Sequence, residues 1–269
     1  MCRYYTTFIF LCVLATATKA QSFATADSLF AARDYERAAM EYERCVFLSE
    51  SRATTHDALL RKAQCYKQAG RYDRAAATLE RCARDCNDYA QLALCHYLAA
   101  DFAHAVAAVE DYRMLADSID ENVLIIQVLA LNELGRYDSA LAIVQSFMGH
   151  QLDSCYAMRP QLKNMKTTHY LSFVPGLGHV YAGQAGLGIA AFTLNAAVLG
   201  FAVWQAFEHC WITAWLGGAG LLSATWPGSM RSAEYYARKY NYDLSSKYNA
   251  ELRSRILQTQ SSISSRAPR

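Results

Sequence analysis

Apolar residues recur at helical steps through the first half of the chain. Leu124, Val128 and Leu131 share one predicted helix face, and Leu141, Val144 and Phe147 share the next. No proline occurs from Cys2 to Arg159, which favours long helices there and argues against a turn-rich all-β fold. After Pro160 the pattern changes character. Positions 167–230 carry one formal charge, Glu208, and hold ten of the 13 glycines, while nearly all remaining charge lies on either side. Within this block, Leu187 to Phe207 and Cys210 to Pro227 are uncharged. As helices they measure about 31 and 27 Å, close to the thickness of a bilayer core. Glu208-His209 leaves room only for a tight turn, which predicts a transmembrane helical hairpin over 187–230. A chain this small has little other core in which to bury such a hairpin.

Inside the predicted hairpin, Asn195 stands near the middle of the first arm and predicts a hydrogen bond between helices. Small residues at four-residue steps, Ala196/Gly200, Ala214/Gly218 and Gly220/Ala224, predict a close approach of the two arms. Trp204, Trp211, Trp215 and Trp226 cluster towards helix ends, as interfacial anchors do.

Four phrases recur in the first half: Ala32-Arg33-Asp34-Tyr35-Glu36-Arg37-Ala38, Ala69-Gly70-Arg71-Tyr72-Asp73-Arg74-Ala75, Ala99-Ala100-Asp101-Phe102-Ala103-His104-Ala105 and Leu134-Gly135-Arg136-Tyr137-Asp138-Ser139-Ala140. Gly70 and Gly135 sit where a first helix must end and reverse. The alanine three positions after each aromatic lets a second helix pack closely on the first. At this period and with this turn, residues 21–157 resemble tetratricopeptide repeats, although the third copy lacks the glycine. The resemblance implies an all-α fold: a tetratricopeptide-like helical solenoid whose stacked first helices form a concave face for a protein or peptide. A spacer is the alternative use. Residues 21–158 carry 13 Lys/Arg against 20 Asp/Glu, a net charge of −7, which argues against nucleic acid as a partner.

The most distinctive string is Leu171-Ser172-Phe173-Val174-Pro175-Gly176-Leu177-Gly178-His179-Val180-Tyr181-Ala182-Gly183. Pro175 and the glycines forbid a simple continuous helix, while the apolar residues keep the segment near lipid, so 158–186 reads as a linker and a glycine-rich interfacial or re-entrant turn. Pro175, Gly176, Gly178, Tyr181 and Gly183 form a Pro-Gly-x-Gly-x-x-Tyr-x-Gly motif. It resembles the motif that leads into small two-pass membrane domains of bacterial envelope proteins, and that resemblance implies no catalytic residues. The glycines lack the strand-turn-helix setting of a dinucleotide site and the Gly-Lys-Ser/Thr of a phosphate loop.

Residues 1–20 read as a cleavable secretory signal, with Arg3, an apolar core from Phe8 to Ala15 and the exit Thr18-Lys19-Ala20. Seven cysteines follow it. Cys45 and Cys82 lie ten residues after the turn aromatics Tyr35 and Tyr72, and Cys65 and Cys95 lie seven before Tyr72 and Phe102. Two readings stay open: disulfides Cys45 to Cys65 and Cys82 to Cys95 between neighbouring helices, or small apolar residues in ordinary core. No zinc spacing and no acid, base or nucleophile grouping appears, so neither metal, cofactor nor enzymatic activity is expected. Residues 231–269 read as a basic, tyrosine-rich tail that starts helical and frays after Ser261. Cleavage of the signal and two crossings would place tail and repeats on the same side, against the positive-inside tendency. A third crossing over Thr167 to Gly183, or an uncleaved N-terminus with cytoplasmic repeats, would resolve that conflict.

Together these features predict a membrane-anchored repeat scaffold in the bacterial inner membrane, with a periplasmic repeat domain recruiting a polypeptide for envelope assembly or maintenance. Membrane lipids, and oligomers formed through the hairpin, are the other expected contacts. The alternative is a component of a membrane transporter or channel, with Asn195 and the glycine-rich segment lining a path.

Overall fold

Side-chain caps set most helix starts in the first half of the chain. Asp34, Ser51, Asp85, Asp101 and Asp120 accept hydrogen bonds from the backbone N–H of Arg37, Ala53, Asp88, His104 and Asn122. Each such cap contributes about 1 kcal/mol to its helix. The computed structural model describes residues 23–49 and 51–266; the segment read as a signal, 1–20, lies outside them. Every regular element among the described residues is helical, and the chain divides into two units, Met1–Leu152 and Asp153–Arg269.

The first unit pairs α1 (residues 23–31) with α2 (Tyr35–Leu48), α3 (Arg52–Gln68) with α4 (Tyr72–Glu80), α5 (Cys86–Leu98) with α6 (Phe102–Leu115), and α7 (Glu121–Glu133) with α8 (Tyr137–Met148). A single 3-10 turn, Gly149–Leu152, closes it. The four turns share one geometry. The backbone is left-handed at Arg33, Gly70, Ala100 and Gly135, with φ of 62°, 70°, 60° and 71°. The next residue's N–H then reaches back to Leu29, Tyr66, His96 and Leu131 carbonyls at 2.8–3.0 Å, the long bond that closes a helix C-terminus. The turn therefore survives in the first and third copies, neither of which has the glycine, because the same bond and the same packing enforce it.

Ala38, Ala75, Ala105 and Ala140, the alanines three after each turn aromatic, are all fully buried. A central core runs from Leu59 and Ala63 of α3 through Ala76 and Leu79 of α4 to Leu92 of α5, Val109 of α6 and Val123 of α7. A smaller cluster joins Ala26 of α1 to Ala38, Ala39 and Tyr42 of α2 and Cys65 of α3. Each pair thus completes its core only with the next, as a solenoid requires.

The second unit begins with α9 (Asp153–Ala157), α10 (Met165–Leu171) and α11 (Leu177–Tyr181). The helix α12 (Ala185–Phe207) follows, and a turn with left-handed His209 reverses the chain. From Trp211 onwards the backbone stays helical to the last described residue: α13 (Trp211–Thr213), a π-helical stretch (Ala214–Ala219) and α14 (Gly220–Arg266). The segment 167–183 forms two short helices interrupted at Pro175, not the continuous helix that the alternative of a third crossing requires. The second arm departs from the sequence reading. Pro227 does not stop the second arm, and the stretch read as a tail continues α14 past Ser261. Proline removes one backbone hydrogen bond, whereas packing of α10, α11 and α12 along α14 holds the helix through the break. Among the described residues, α12 alone is long and apolar enough to cross a membrane by itself.

Candidate functional site

Two places carry the residues that the sequence singled out: the face made by the first helices of each repeat, and the glycine-rich motif before α12. On the repeat face, contacts pass directly from one first helix to the next. Arg61 of α3 donates to Asp27 of α1 at 2.8 Å, and Lys67 of α3 donates to Gln91 of α5 at 3.1 Å. Beyond them, Leu94 and Leu98, one turn apart on α5, stay exposed. The face is charged at one end and apolar further along. Beneath it, the buried carboxylate of Asp88 in α5 meets His56 of α3 at 2.8 Å and accepts from the Arg84 backbone at 3.0 Å, tying two repeats together.

A separate charge network joins α2 to the next repeat. Glu43 of α2 accepts from Lys62 at 2.8 Å and from Arg81 at 3.1 Å. Burial opposes ionisation of Glu43, but the bonds from Lys62 and Arg81 outweigh it and hold its carboxyl below the usual range. Glu36 lies 3.6 Å from Arg71 and 3.5 Å from Arg74, exposed pairs worth well under about 1 kcal/mol each. At the third turn the structure gathers histidines that look scattered in the sequence. His104 lies 2.7 Å from Asp101, and its ring stacks on that of His96, 5.5 Å between centroids. Burial pushes His96 down, partly countered by Glu80 and Asp101, whereas the Asp101 hydrogen bond pushes exposed His104 up. No group of three or more metal-ligating side chains occurs among the described residues.

In the motif before α12, each glycine has its own steric reason. Gly176 is left-handed at φ 94°, and a Cβ there would sit 2.2 Å from the Gly188 carbonyl oxygen. A Cβ on Gly178 would fall 1.9 Å from Ser172 Oγ and 3.0 Å from Ala233 Cβ. Gly183 is left-handed at φ 85° and ends α11. Pro175 and Gly176 line a small apolar hollow with Val174, Leu177, Phe192 and Ile189. Tyr181 accepts from the Asn164 backbone at 3.1 Å, and its own carbonyl accepts from Lys163 Nζ. The motif therefore folds as a tight plug against α12 and α14.

Its most specific fastening was not legible beforehand. The Lys163 ammonium lies 4.1 Å from the Tyr240 ring centroid, and the Lys163 backbone exchanges two hydrogen bonds with the Asn241 amide, at 2.8 and 2.9 Å. The partners are 78 residues apart, so no local pattern announces them. His179 is buried, with Nε2 3.1 Å from Ser232. Within the hairpin, Asn195 is also buried; its amide donates to Ala191 at 2.8 Å and its carbonyl accepts from Thr225 at 2.9 Å. That is the interhelical bond expected of it. Of the small-residue pairs, Gly218 makes the close approach, but to Ala202, 2.2 Å from its would-be Cβ; nothing lies within 4 Å of such an atom on Gly200.

Cys45, Cys65, Cys82 and Cys95 are all buried. Burial pushes the thiols of Cys65 and Cys82 up to about 11. Cys82 Sγ lies 3.6 Å from the Thr78 carbonyl, one turn back in the same region of chain.

The chain matches the tetratricopeptide repeat family over residues 57–86, from within α3 through α4 to the first residue of α5. No curated protein matches it. Repeats of this family are generally not catalytic. The first unit is an all-α tetratricopeptide-like solenoid, a fold that serves protein–protein interaction.

Proposed function

We propose that the protein is a membrane-anchored scaffold whose repeat face recruits a polypeptide partner, in keeping with the bacterial envelope role to which its motif points. The observation that carries the reading is the exposure of α12. Only 11% of its most apolar 18-residue window is buried, and Ile189, Phe192, Leu194, Trp204 and Phe207 are each more than half exposed. A core helix of a soluble protein would hide these side chains, each of which gains about 1.5–3 kcal/mol on leaving water. A bilayer supplies that environment. The signal-like first 20 residues support an inner-membrane location with a periplasmic repeat unit, and oligomers through the hairpin are compatible with its exposed apolar faces. The transport alternative gains no support from Asn195, whose polar groups bond to Ala191 and Thr225.

Two measurements test the proposal. The protein should stay with membranes after alkaline carbonate washing, and deletion of 187–227 should release the repeats; release of the full chain refutes anchoring. Photocrosslinkers at Gln91 and Leu98 on the repeat face should trap a protein adduct in membranes. Recovery of no adduct above a hairpin-only control refutes recruitment by that face.

A further inference from the structure

A cleft of about 590 Å³ opens between α10 and α14 and is lined by Met165, Lys166, His169, Tyr170, Glu234 and Arg238. Its polar wall is organised around Glu234. One carboxylate oxygen lies 2.7 Å from His169 Nδ1, and the other accepts from the Arg238 guanidinium at 3.2 Å. With both oxygens engaged, Glu234 orients its neighbours, and the Lys166 ammonium and the remaining Arg238 donors supply a surplus of positive charge. An arginine fork and a lysine point charge are the pair of groups that suit a phosphate. Met165 and Tyr170 supply the apolar and aromatic part of the lining, and Phe173 lies beside it. The His169 ring packs edge-on to Phe173 at 5.6 Å, and Tyr170 and Phe173 are 71% and 54% exposed.

Depth separates this cleft from an ordinary charged surface. Asn195, near the centre of α12, bonds to Thr225 of α14, which fixes the register of the two helices. At the α-helical rise, Glu234 lies about 14 Å and Arg238 about 20 Å further along α14. Half of a bilayer's hydrocarbon core is about 15 Å. The charged wall therefore falls at the headgroup level if α12 spans the membrane, the level at which an amphipathic ring such as that of exposed Tyr170 settles. The close contacts of Gly176 with Gly188 and of Gly178 with Ala233 hold α10 and α11 at this end of α12.

We propose that this cleft is a binding site for the phosphate of an anionic phospholipid headgroup, with Lys166 and Arg238 as ligands and Glu234 and His169 as positioning residues. The assignment rests on the membrane reading of α12. To test it, the full chain is reconstituted into phosphatidylcholine vesicles with and without phosphatidylglycerol. Flotation of the vesicles is read first, then the boundary selectivity for spin-labelled phosphatidylglycerol over spin-labelled phosphatidylcholine. The native protein is compared with Lys166→Gln/Arg238→Gln and with a charge-matched pair, Lys239→Gln/Lys247→Gln. The site pair should lower the selectivity about fivefold or more, and the control pair should change it by less than about twofold. Equal loss in both pairs, or no selectivity in a native protein that floats, overturns the site and leaves anchoring intact. Failure to float with either lipid overturns anchoring and the site together. Loss of selectivity on adding inorganic phosphate, but not chloride at matched ionic strength, reassigns the cleft to free phosphate and overturns the lipid assignment.

Discussion

Ala100→Gly combined with Arg136→Asp should stabilise the repeat unit, because the four turns divide two favourable features between them. The left-handed position holds Arg33, Gly70, Ala100 and Gly135, and the helix cap that follows is Asp34, Arg71, Asp101 and Arg136. The turns with glycine thus have an arginine that makes no capping bond, while the turns with a capping aspartate bear a side chain in the left-handed region. A non-glycine residue there costs about 1–2 kcal/mol. Glycine relieves that strain but loosens the unfolded chain by about 0.4–1 kcal/mol, leaving a net gain of roughly 0.5–1 kcal/mol. An aspartate cap at 136 adds about 1 kcal/mol. In the reverse direction, a Cβ on Gly70 or Gly135 meets nothing within 4 Å, so Gly135→Ala should cost a net of roughly 0.5–1 kcal/mol, the backbone strain less the entropy it removes from the unfolded chain.

Repeat units open locally, so the measurement is native-state hydrogen exchange on the full chain. Ala100→Gly should slow exchange of the α5 and α6 amides about two- to fivefold, and Arg136→Asp should slow the α8 amides about fivefold. Gly135→Ala should accelerate exchange in α7 and α8 by about two- to fivefold. Unchanged or faster exchange in Ala100→Gly, together with no effect of Gly135→Ala, would refute the claim that backbone handedness limits these turns.

Three further outcomes follow from the sites. The histidines of the third turn should titrate on opposite sides of the ordinary histidine range, His104 above it and His96 below it. The Asp101–His104 contribution to stability is present below the unfolded histidine pKa and fades as pH rises through the raised folded value. The cost of buried His96 appears as pH falls below the unfolded histidine pKa and on through its lowered folded value. Proton-coupled NMR shifts read both, and Asp101→Asn should draw the two midpoints together; an unchanged separation counts against the assignment. Gly178→Val should disrupt the plug by about 2 kcal/mol or more, through overpacking against Ser172 and Ala233, whereas Gly186→Ala, with no neighbour within 4 Å, should be harmless. Limited proteolysis between 158 and 184 separates the two, and equal resistance would sink the close-packing account. In detergent, iodoacetamide should label exposed Cys210 before denaturation and reach Cys65, Cys82 and Cys95 only after it. Linked peptides Cys45–Cys65 or Cys82–Cys95 on nonreducing mapping would instead establish the disulfides.

The parts of this fold that are legible in the sequence are those whose cause is local. A helix reversal needs a left-handed residue, an aromatic and a small residue within seven positions, and Gly70 and Gly135 announce it directly. Arg33 and Ala100 do not; their turns are visible only because Tyr35 and Phe102, with Ala38 and Ala105, keep the register. The length and apolar character of α12 are equally local, since an uncharged run of twenty or so residues can be read directly along the chain. What stays hidden depends on neighbours from elsewhere in the chain. Pro227 reads as a stop because local rules place it there, yet Ala233 and Ala237 are buried one turn apart beyond it, on a helix lined by α10 and α11. The charges of the same stretch then acquire a new meaning. Arg238 and Glu234 look like solvated residues of a basic tail until α10 brings Lys166 and His169 alongside them. Whether a charge is bulk solubility or part of a site is settled by what packs across from it, and here that residue lies 65 positions away in the chain.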